Sequence, residues 1–243
     1  MAKTKILWSE NVWNPITGCT KQSAGCANCY AVNLTRRLKA MGQPKYQQGF
    51  DKVVVHPDCL SIPLERQKPT VYFVNSMSDV FHKDVPETFI RKLFEVMGEA
   101  KQHTFQVLTK RSERLRDLAP TLPWTDNIYM GVTVETSDYY GRIADLVTTP
   151  AKVKFLSLEP LLSSISDIPL EGIDWAIVAG ESGPKARPME AQWVRDVRDK
   201  CVRLDIPFFF KQWGGRGKLN KERGRELDGR TWEQKPMSRE CKS

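Results

Sequence analysis

The sequence predicts an α/β fold: a (β/α) barrel, partial or complete, with mostly parallel strands. Two observations carry this expectation. Short, nearly continuous apolar runs rich in β-branched and aromatic residues recur along the chain, as strands buried on both faces require. Between them lie stretches with helical periodicity, and strand–helix alternation builds βα units around a parallel sheet. A doubly wound open sheet is the alternative that the same alternation allows.

Taken in order, strands are predicted over 71–76, 104–110, 128–135, 153–159, 175–182 and 207–213. A helix is expected from Pro86 to Met97, with Phe89, Leu93, Val96 and Met97 on one face and Pro86 in the first turn. A second is expected over 191–202, with Val194, Val197, Cys201 and Leu204 on one side. There is no low-complexity tract and no short repeat.

In parallel α/β folds the functional site lies beyond the carboxyl ends of the strands. Here those ends read Asn75, Ser76, Ser78, Asp79 and His82, then Thr109, Lys110 and Arg111, then Thr133 and Glu135. They continue with Ser157 and Glu159, Glu181 and Ser182, and Lys211 and Gln212. One polar strand end means little, but the same pattern at every end predicts one shared polar pocket.

The chain has 243 residues, a hydrophobic fraction of 40% and a charged fraction of 27%, ordinary for a globular protein with a substantial core. No apolar run approaches the roughly 18–20 residues that span a bilayer, and the first residues are too poor in apolar side chains for a signal peptide. The expected setting is cytoplasmic, with no membrane partner. The formal net charge is +8, and residues 215–243 hold nine Lys/Arg against five Asp/Glu. We therefore expect a barrel domain over 1–214, with a cysteine loop at 13–31, followed by a basic C-terminal extension over 215–243. Such a balance favours nucleic acid, or serves only as a solubilising surface.

Six cysteines in a chain of this length make no disulfide framework, and clustered cysteines then point to metal or catalysis. Cys19, Cys26 and Cys29 are spaced C-x6-C-x2-C, with Gly18 and Gly25 each directly before a cysteine, where a tight turn around a bulky centre is needed. Cys59, Cys201 and Cys241 are scattered. Soft thiolates suit zinc, copper(I) or an iron–sulfur cluster. Structural zinc wants four ligands, which His56, Cys59 or His82 would have to complete; a [4Fe–4S] cluster on three cysteines leaves one iron open. Spacing alone leaves zinc and iron–sulfur level, and the polar strand ends favour the cluster.

Several segments carry a family resemblance: Trp13-Asn-Pro-Ile-Thr-Gly-Cys with Gly25-Cys-Ala-Asn-Cys-Tyr-Ala, Val74-Asn-Ser-Met-Ser-Asp-Val-Phe-His, and Phe105-Gln-Val-Leu-Thr-Lys-Arg. Phe155-Leu-Ser-Leu-Glu-Pro-Leu-Leu, Gly180-Glu-Ser-Gly-Pro-Lys-Ala-Arg-Pro-Met, Pro207-Phe-Phe-Phe-Lys-Gln-Trp-Gly and Glu226-Leu-Asp-Gly-Arg-Thr-Trp complete it. Over nearly its whole length the chain resembles the phage-type three-Cys-motif proteins, a radical-SAM-like family of phages, prophages and many bacteria. The resemblance implies a (β/α) barrel of radical-SAM type with the cysteine loop after the first strand. It also implies a [4Fe–4S] cluster on Cys19, Cys26 and Cys29, and S-adenosylmethionine on the open iron. An external electron donor, reductive cleavage to a 5′-deoxyadenosyl radical, and a genetically linked partner protein are part of the same implication.

The sequence departs from the usual radical-SAM pattern in three places. The first cysteine gap is three residues longer than C-x3-C-x2-C; Asn28 stands where an aromatic usually precedes the last cysteine, with Tyr30 just after it; and the Gly-Gly-Glu after the second strand is missing. We expect Asn75, Ser76, Ser78 and Asp79 to hold the methionyl amino group instead. Tyr30, His82, Ser157 and Gln212 are further candidate cofactor contacts. Lys110, Glu135, Glu159, Glu181 and Lys211 are candidate catalytic groups, as anion binders, acid/base groups or ribose contacts. The expected function is modification or repair of a nucleic-acid base or nucleotide. The alternatives are a cluster-bearing subunit of a partner complex and a zinc-stabilised nucleic-acid-binding protein without catalysis.

Overall fold

The computed structural model describes residues 6–215 and 224–236. In chain order the first half contains β1 (Asn11–Trp13), β2 (Ile16–Thr17), α1 (Tyr30–Ala40), β3 (Val54–Val55), α2 (Ile62–Glu65), β4 (Val71–Val74), α3 (Glu87–Glu99), β5 (Thr104–Thr109) and α4 (Ser112–Leu118). The second half contains β6 (Ile128–Thr133), α5 (Gly141–Val147), β7 (Val153–Leu158), β8 (Trp175–Ala179), α6 (Ala191–Arg203), β9 (Phe208–Gln212), β10 (Glu226–Leu227) and β11 (Arg230–Thr231).

The main sheet has seven strands in the order β1-β4-β5-β6-β7-β8-β9, and every pairing within it is parallel. The order never reverses, so there is no topological switch point and the doubly wound alternative is excluded. β1 and β9 do not pair with each other among the described residues. The fold is a partial (β/α) barrel.

Side-chain alternation divides the strands into two layers. Tyr72, Val74, Phe105, Val107, Met130, Val132, Leu156, Phe208 and Phe210 face outward into the main core, where they meet the buried sides of α3 and α6. The inward faces contribute Phe73, Phe155, Trp175, Ile177 and Phe209, and Trp8 joins them from ahead of β1. The Trp8 ring lies 4.7 Å from Phe73 and 6.3 Å from both Phe155 and Trp175, so one indole spans the open barrel from β4 to β8. Gly131 makes room for this layer: a Cβ there would stand 2.5 Å from the Phe155 ring.

All six predicted strands are present, each shorter by one to three residues, because their polar ends leave the sheet to line the site. On α3 the buried face is Ile90, Leu93, Phe94, Val96 and Met97, and Phe89 only packs at its margin. Pro86 is the residue before the helix rather than part of its first turn. On α6, Val194, Val197 and Cys201 are buried as expected, while Leu204 lies past the helix end and is exposed.

The described part of the C-terminal segment folds back on the barrel. Glu233 bridges Phe209 in antiparallel fashion, the Phe210 amide donates to Trp232 O at 2.9 Å, and the Gln234 amide donates to Phe208 O at 3.2 Å. Residues 231–234 thus cover the outer edge of β9, and Leu227 is buried in the main core. Residues 216–223 and 237–243 of the basic extension, with Cys241, lie outside the described residues, as do residues 1–5. No helix among the described residues is long and apolar enough to cross a membrane.

Candidate functional site

The carboxyl ends of the strands surround a cavity of about 280 Å³. Its inner wall is apolar, from Ile6, Trp8, Phe73 and Leu108, and its rim is polar. Every residue nominated from the sequence lines this cavity except Glu135 and His82. The shared polar pocket expected from the strand ends is therefore present, with an aromatic floor that the sequence did not reveal.

The three cysteines sit on one side of the rim. The loop leaves β1, pairs briefly through β2 with β3, and turns at Gly18, whose φ of +86° and closeness to the Lys52 carbonyl allow only glycine. The Cys19 amide donates to Phe50 O at 2.8 Å. Cys26 closes a single turn of 3-10 helix, and Cys29 is the residue from which α1 starts. All three are free thiols and half-buried. Burial pushes the Cys19 thiol up to about 11; Asp79 adds to the rise and Arg111, 3.7 Å from the sulfur, opposes it. Burial also raises Cys29.

Two buried carboxylates hold this loop. Glu135, fully buried, accepts a 2.5 Å hydrogen bond from Ser23 Oγ on Oε1 and a 2.9 Å one from Arg142 on Oε2; Lys110 Nζ stands 3.4 Å from Oε1. Gly25 packs directly on it: a Cβ would meet Oε1 at 2.3 Å. The need for glycine at 25 is this contact rather than a left-handed turn. Glu181 accepts from the Arg187 amide and guanidinium and from Asn28 Nδ2, and Arg187 also donates to Ala24 O at 3.1 Å. Burial alone would raise the Glu181 carboxyl, but the Arg187 and Asn28 hydrogen bonds outweigh it and hold it below its usual range. Asn28 thus ties the cysteine loop to β8 and does not offer a ring face to a ligand. Ser23, Arg142 and Arg187 escaped the sequence reading; Arg142 and Arg187 lie seven and six residues after their carboxylates.

The residues after β4 are also largely committed to the chain itself. Asp79 Oδ1 accepts from Thr109 Oγ1 at 2.7 Å and the Phe81 amide at 3.0 Å, while Oδ2 accepts from the Lys110 amide and Arg111, each at 3.1 Å. Ser78 Oγ donates to Ile16 O, Ser76 Oγ donates to Asn14 Oδ1, and Tyr30 donates to Ser76 O at 2.7 Å. His82 is fully buried outside the cavity. Its Nδ1 accepts from the Asp84 amide at 3.2 Å, so Nε2 carries the proton and donates to Thr20 Oγ1 at 2.8 Å. Burial, with Arg111 nearby, lowers its pKa and keeps the ring neutral.

Other polar groups at the cavity remain available. Lys211 Nζ meets Glu159 Oε2 at 2.5 Å, but the buried Glu159 Oε1 has no partner among the described residues. The same is true of Thr133 Oγ1 and Asn75 Nδ2. Ser157 lines the wall between them, and Gln212 donates to Gly180 O and to Ser182 Oγ. Buried polar atoms without partners are uncommon, and with Trp8 Nε1 four of them belong to residues that line this cavity.

Three thiols on one loop are a soft donor set of the kind that iron–sulfur clusters take. No group of three His, Cys, Asp or Glu side chains among the described residues converges closely enough for a single metal. The residues that would complete a zinc knuckle are engaged elsewhere: His56 with Thr17 Oγ1 at 2.8 Å, Cys59 with Lys45 Nζ at 3.1 Å, and His82 as above.

A family model described as "Protein of unknown function (DUF5131)" matches residues 3–236. No curated protein matches the chain. A solved structure of a spore photoproduct lyase mutant, with bound AdoMet and a dinucleoside spore photoproduct, is similar at 14% identity with a TM-score of 0.45. That match covers 80% of this chain, which spans 62% of the other.

Proposed function

The chain belongs to the family of proteins of unknown function DUF5131, and from its site we propose an iron–sulfur enzyme of radical-SAM type that modifies or repairs a nucleotide or nucleic-acid base. The observation that carries this reading is the meeting of three cysteines with four residues bearing unpartnered buried polar atoms around one cavity. The resemblance to phage-type three-Cys-motif proteins points the same way.

In this reading Cys19, Cys26 and Cys29 would hold a [4Fe–4S] cluster, which with S-adenosylmethionine would supply one-electron radical chemistry. The chain's own part is to bind, orient and exclude water. Loading displaces protons from the thiols raised by burial, so it is favoured by alkaline pH. Glu135 and Glu181 act as positioning residues that fix the loop, in place of the catalytic role expected from sequence. Asn75 Nδ2 offers a donor to a carboxylate, and Glu159 Oε1 and Thr133 Oγ1 offer acceptors to hydroxyl or amino groups. Lys110 and Lys211 supply positive charge at the rim. Trp8 and Phe73 give a base an aromatic surface.

Anaerobic rebuilding with iron and sulfide, followed by metal and sulfide analysis and electron paramagnetic resonance after reduction, tests the proposal. About four irons and four sulfides per chain, and 5′-deoxyadenosine from S-adenosylmethionine, both lost in Cys19→Ala, are expected. One zinc without sulfide, or no 5′-deoxyadenosine, overturns it.

A further inference from the structure

A second, polar cleft of about 750 Å³ adjoins the site, and Lys110 and Arg111 line both. Thr20 and Gln22 of the cysteine loop form part of its wall, with the starts of α4 and α5. Three cations at this cleft share one carboxylate among the described residues. Arg142 and Lys110 both pair with Glu135, while Arg114 donates to the carbonyls of His82 and Val85 and meets no acid. Arg111 is balanced by Asp79. Of the acids that line the cleft, Asp145 is taken by Ser112 Oγ at 2.6 Å and Arg116 at 2.9 Å, and Glu113 and Asp138 are exposed.

Arg142 shows what this charge is shaped for. The residue is only 7% exposed, yet its hydrogen bonds to Thr133 O and Glu135 both leave from Nη1. Nε and Nη2 have no acceptor among the described residues and are not sealed from solvent, so this edge opens on the cleft that Arg142 lines. The Tyr139 ring, 4.1 Å from the guanidinium carbon, holds its plane. Two parallel N–H groups on a fixed plane match two oxygens of one anion. This differs from a solvated surface cation, whose donors water already meets. Arg111 also donates to Thr20 O and Oγ1, each at 3.0 Å, and the Tyr139 hydroxyl accepts from the Ala24 amide at 3.2 Å. An anion in the cleft therefore lies against the cysteine loop.

We propose that this cleft is a phosphate site, and that it takes a backbone phosphate of a single-stranded substrate whose base enters the main cavity. The base rests on the radical-SAM reading above; the anion site stands on Arg142, Arg114 and Lys110 whatever the main cavity holds. Phosphate is the anion that arrives with a nucleotide, and it offers the oxygens that the Arg142 edge lacks.

The test uses the anaerobically rebuilt full chain at one low salt concentration. The probe is a fluorescein-labelled, mixed-sequence single-stranded oligonucleotide read by anisotropy, with inorganic phosphate as competitor. Arg142→Lys keeps a cation for Glu135 but loses the two-donor edge, and is expected to weaken binding roughly tenfold. Lys83→Glu, an exposed change at the cleft, is expected to weaken it several-fold and to leave iron uptake unchanged. Lys101→Glu makes the same change between α3 and β5, at the opposite end of the barrel, and is expected to keep the parent's affinity. Parent affinity in Arg142→Lys, or equal losses in Lys83→Glu and Lys101→Glu, overturns the phosphate site and leaves the cluster reading intact. Should Arg142→Lys not fold, the two lysine variants decide alone. Inorganic phosphate that displaces the oligonucleotide without a large excess assigns the cleft to free phosphate and overturns the strand. A chain that shows the expected losses but takes up no iron and sulfide overturns the radical-SAM reading and leaves the phosphate site standing.

Discussion

Gly25 lies against the carboxylate of Glu135 so closely that even a methyl group would stand 2.3 Å from Oε1. The backbone of the cysteine loop and the end of β6 are therefore in direct contact, and the loop's position is set by a group 110 residues away in sequence.

Gly25→Ala is expected to push the loop off Glu135 and break the Ser23 hydrogen bond. The fold should survive, because the loop is peripheral to the core. Iron uptake per chain should fall well below that of the parent, as measured by metal analysis after anaerobic rebuilding. Parent-level iron in this variant would mean that the loop is placed by something else.

Glu135→Ala leaves Arg142 buried without its carboxylate, and truncating one partner of a buried ion pair costs about 3–5 kcal/mol. For a chain of this size that is a fall in Tm of roughly 6–20 °C. Glu159→Gln is expected to cost much less, because one oxygen already lacks a protein partner and the Lys211 contact is at the rim. Calorimetry of the two variants side by side gives the order. In our functional reading Glu159→Gln instead weakens S-adenosylmethionine or substrate binding, read by equilibrium dialysis.

Acid should destabilise the protein through His82. Its folded pKa lies below the ordinary value of 6.5, so as pH falls through 6.5 the unfolded chain takes up a proton that the folded one refuses. Stability from this group is complete above pH 6.5 and declines below it, by at most about 1.4 kcal/mol per pH unit. His82→Gln should flatten the slope of unfolding free energy between pH 6.5 and 5. An unchanged slope would place the acid sensitivity elsewhere.

Gly131→Ala is expected to destabilise by about 1–3 kcal/mol, because the added methyl meets the Phe155 ring inside the barrel. Trp8→Ala should cost more, about 3–5 kcal/mol, since it empties the space shared by Phe73, Phe155 and Trp175. Chemical denaturation compares the two, and the reverse order would show that the interior repacks around residue 8.

The sheet was legible in the sequence because its strands are buried on both faces, so the runs around Phe73, Phe155 and Ile177 stand out without alternation. The pocket was legible because polar residues end each run. β1 was not, since Asn11–Trp13 is three residues long and borrows its apolar partners from β4. Nor was the division of labour among the acids. Glu135, Glu159 and Glu181 each follow an apolar strand by one or two residues, and only the ion-pair partners Arg142, Lys211 and Arg187 separate loop anchors from a carboxylate with an oxygen to spare. His82 failed for a similar reason: the loop after β4 turns it under Thr20 and away from the cavity.

The strip of residues 231–234 along β9 bears on how the molecule is made. A strand order that follows the sequence lets each strand meet its neighbour as it emerges from the ribosome, so the barrel can be built from one side to the other. The exception is the last edge. Until Trp232 and Gln234 arrive, Phe208 and Phe210 present bare amide and carbonyl groups at the rim of an aromatic sheet, a template for pairing with another chain. Chains stopped before residue 231 should therefore aggregate even though every strand of the barrel has been synthesised.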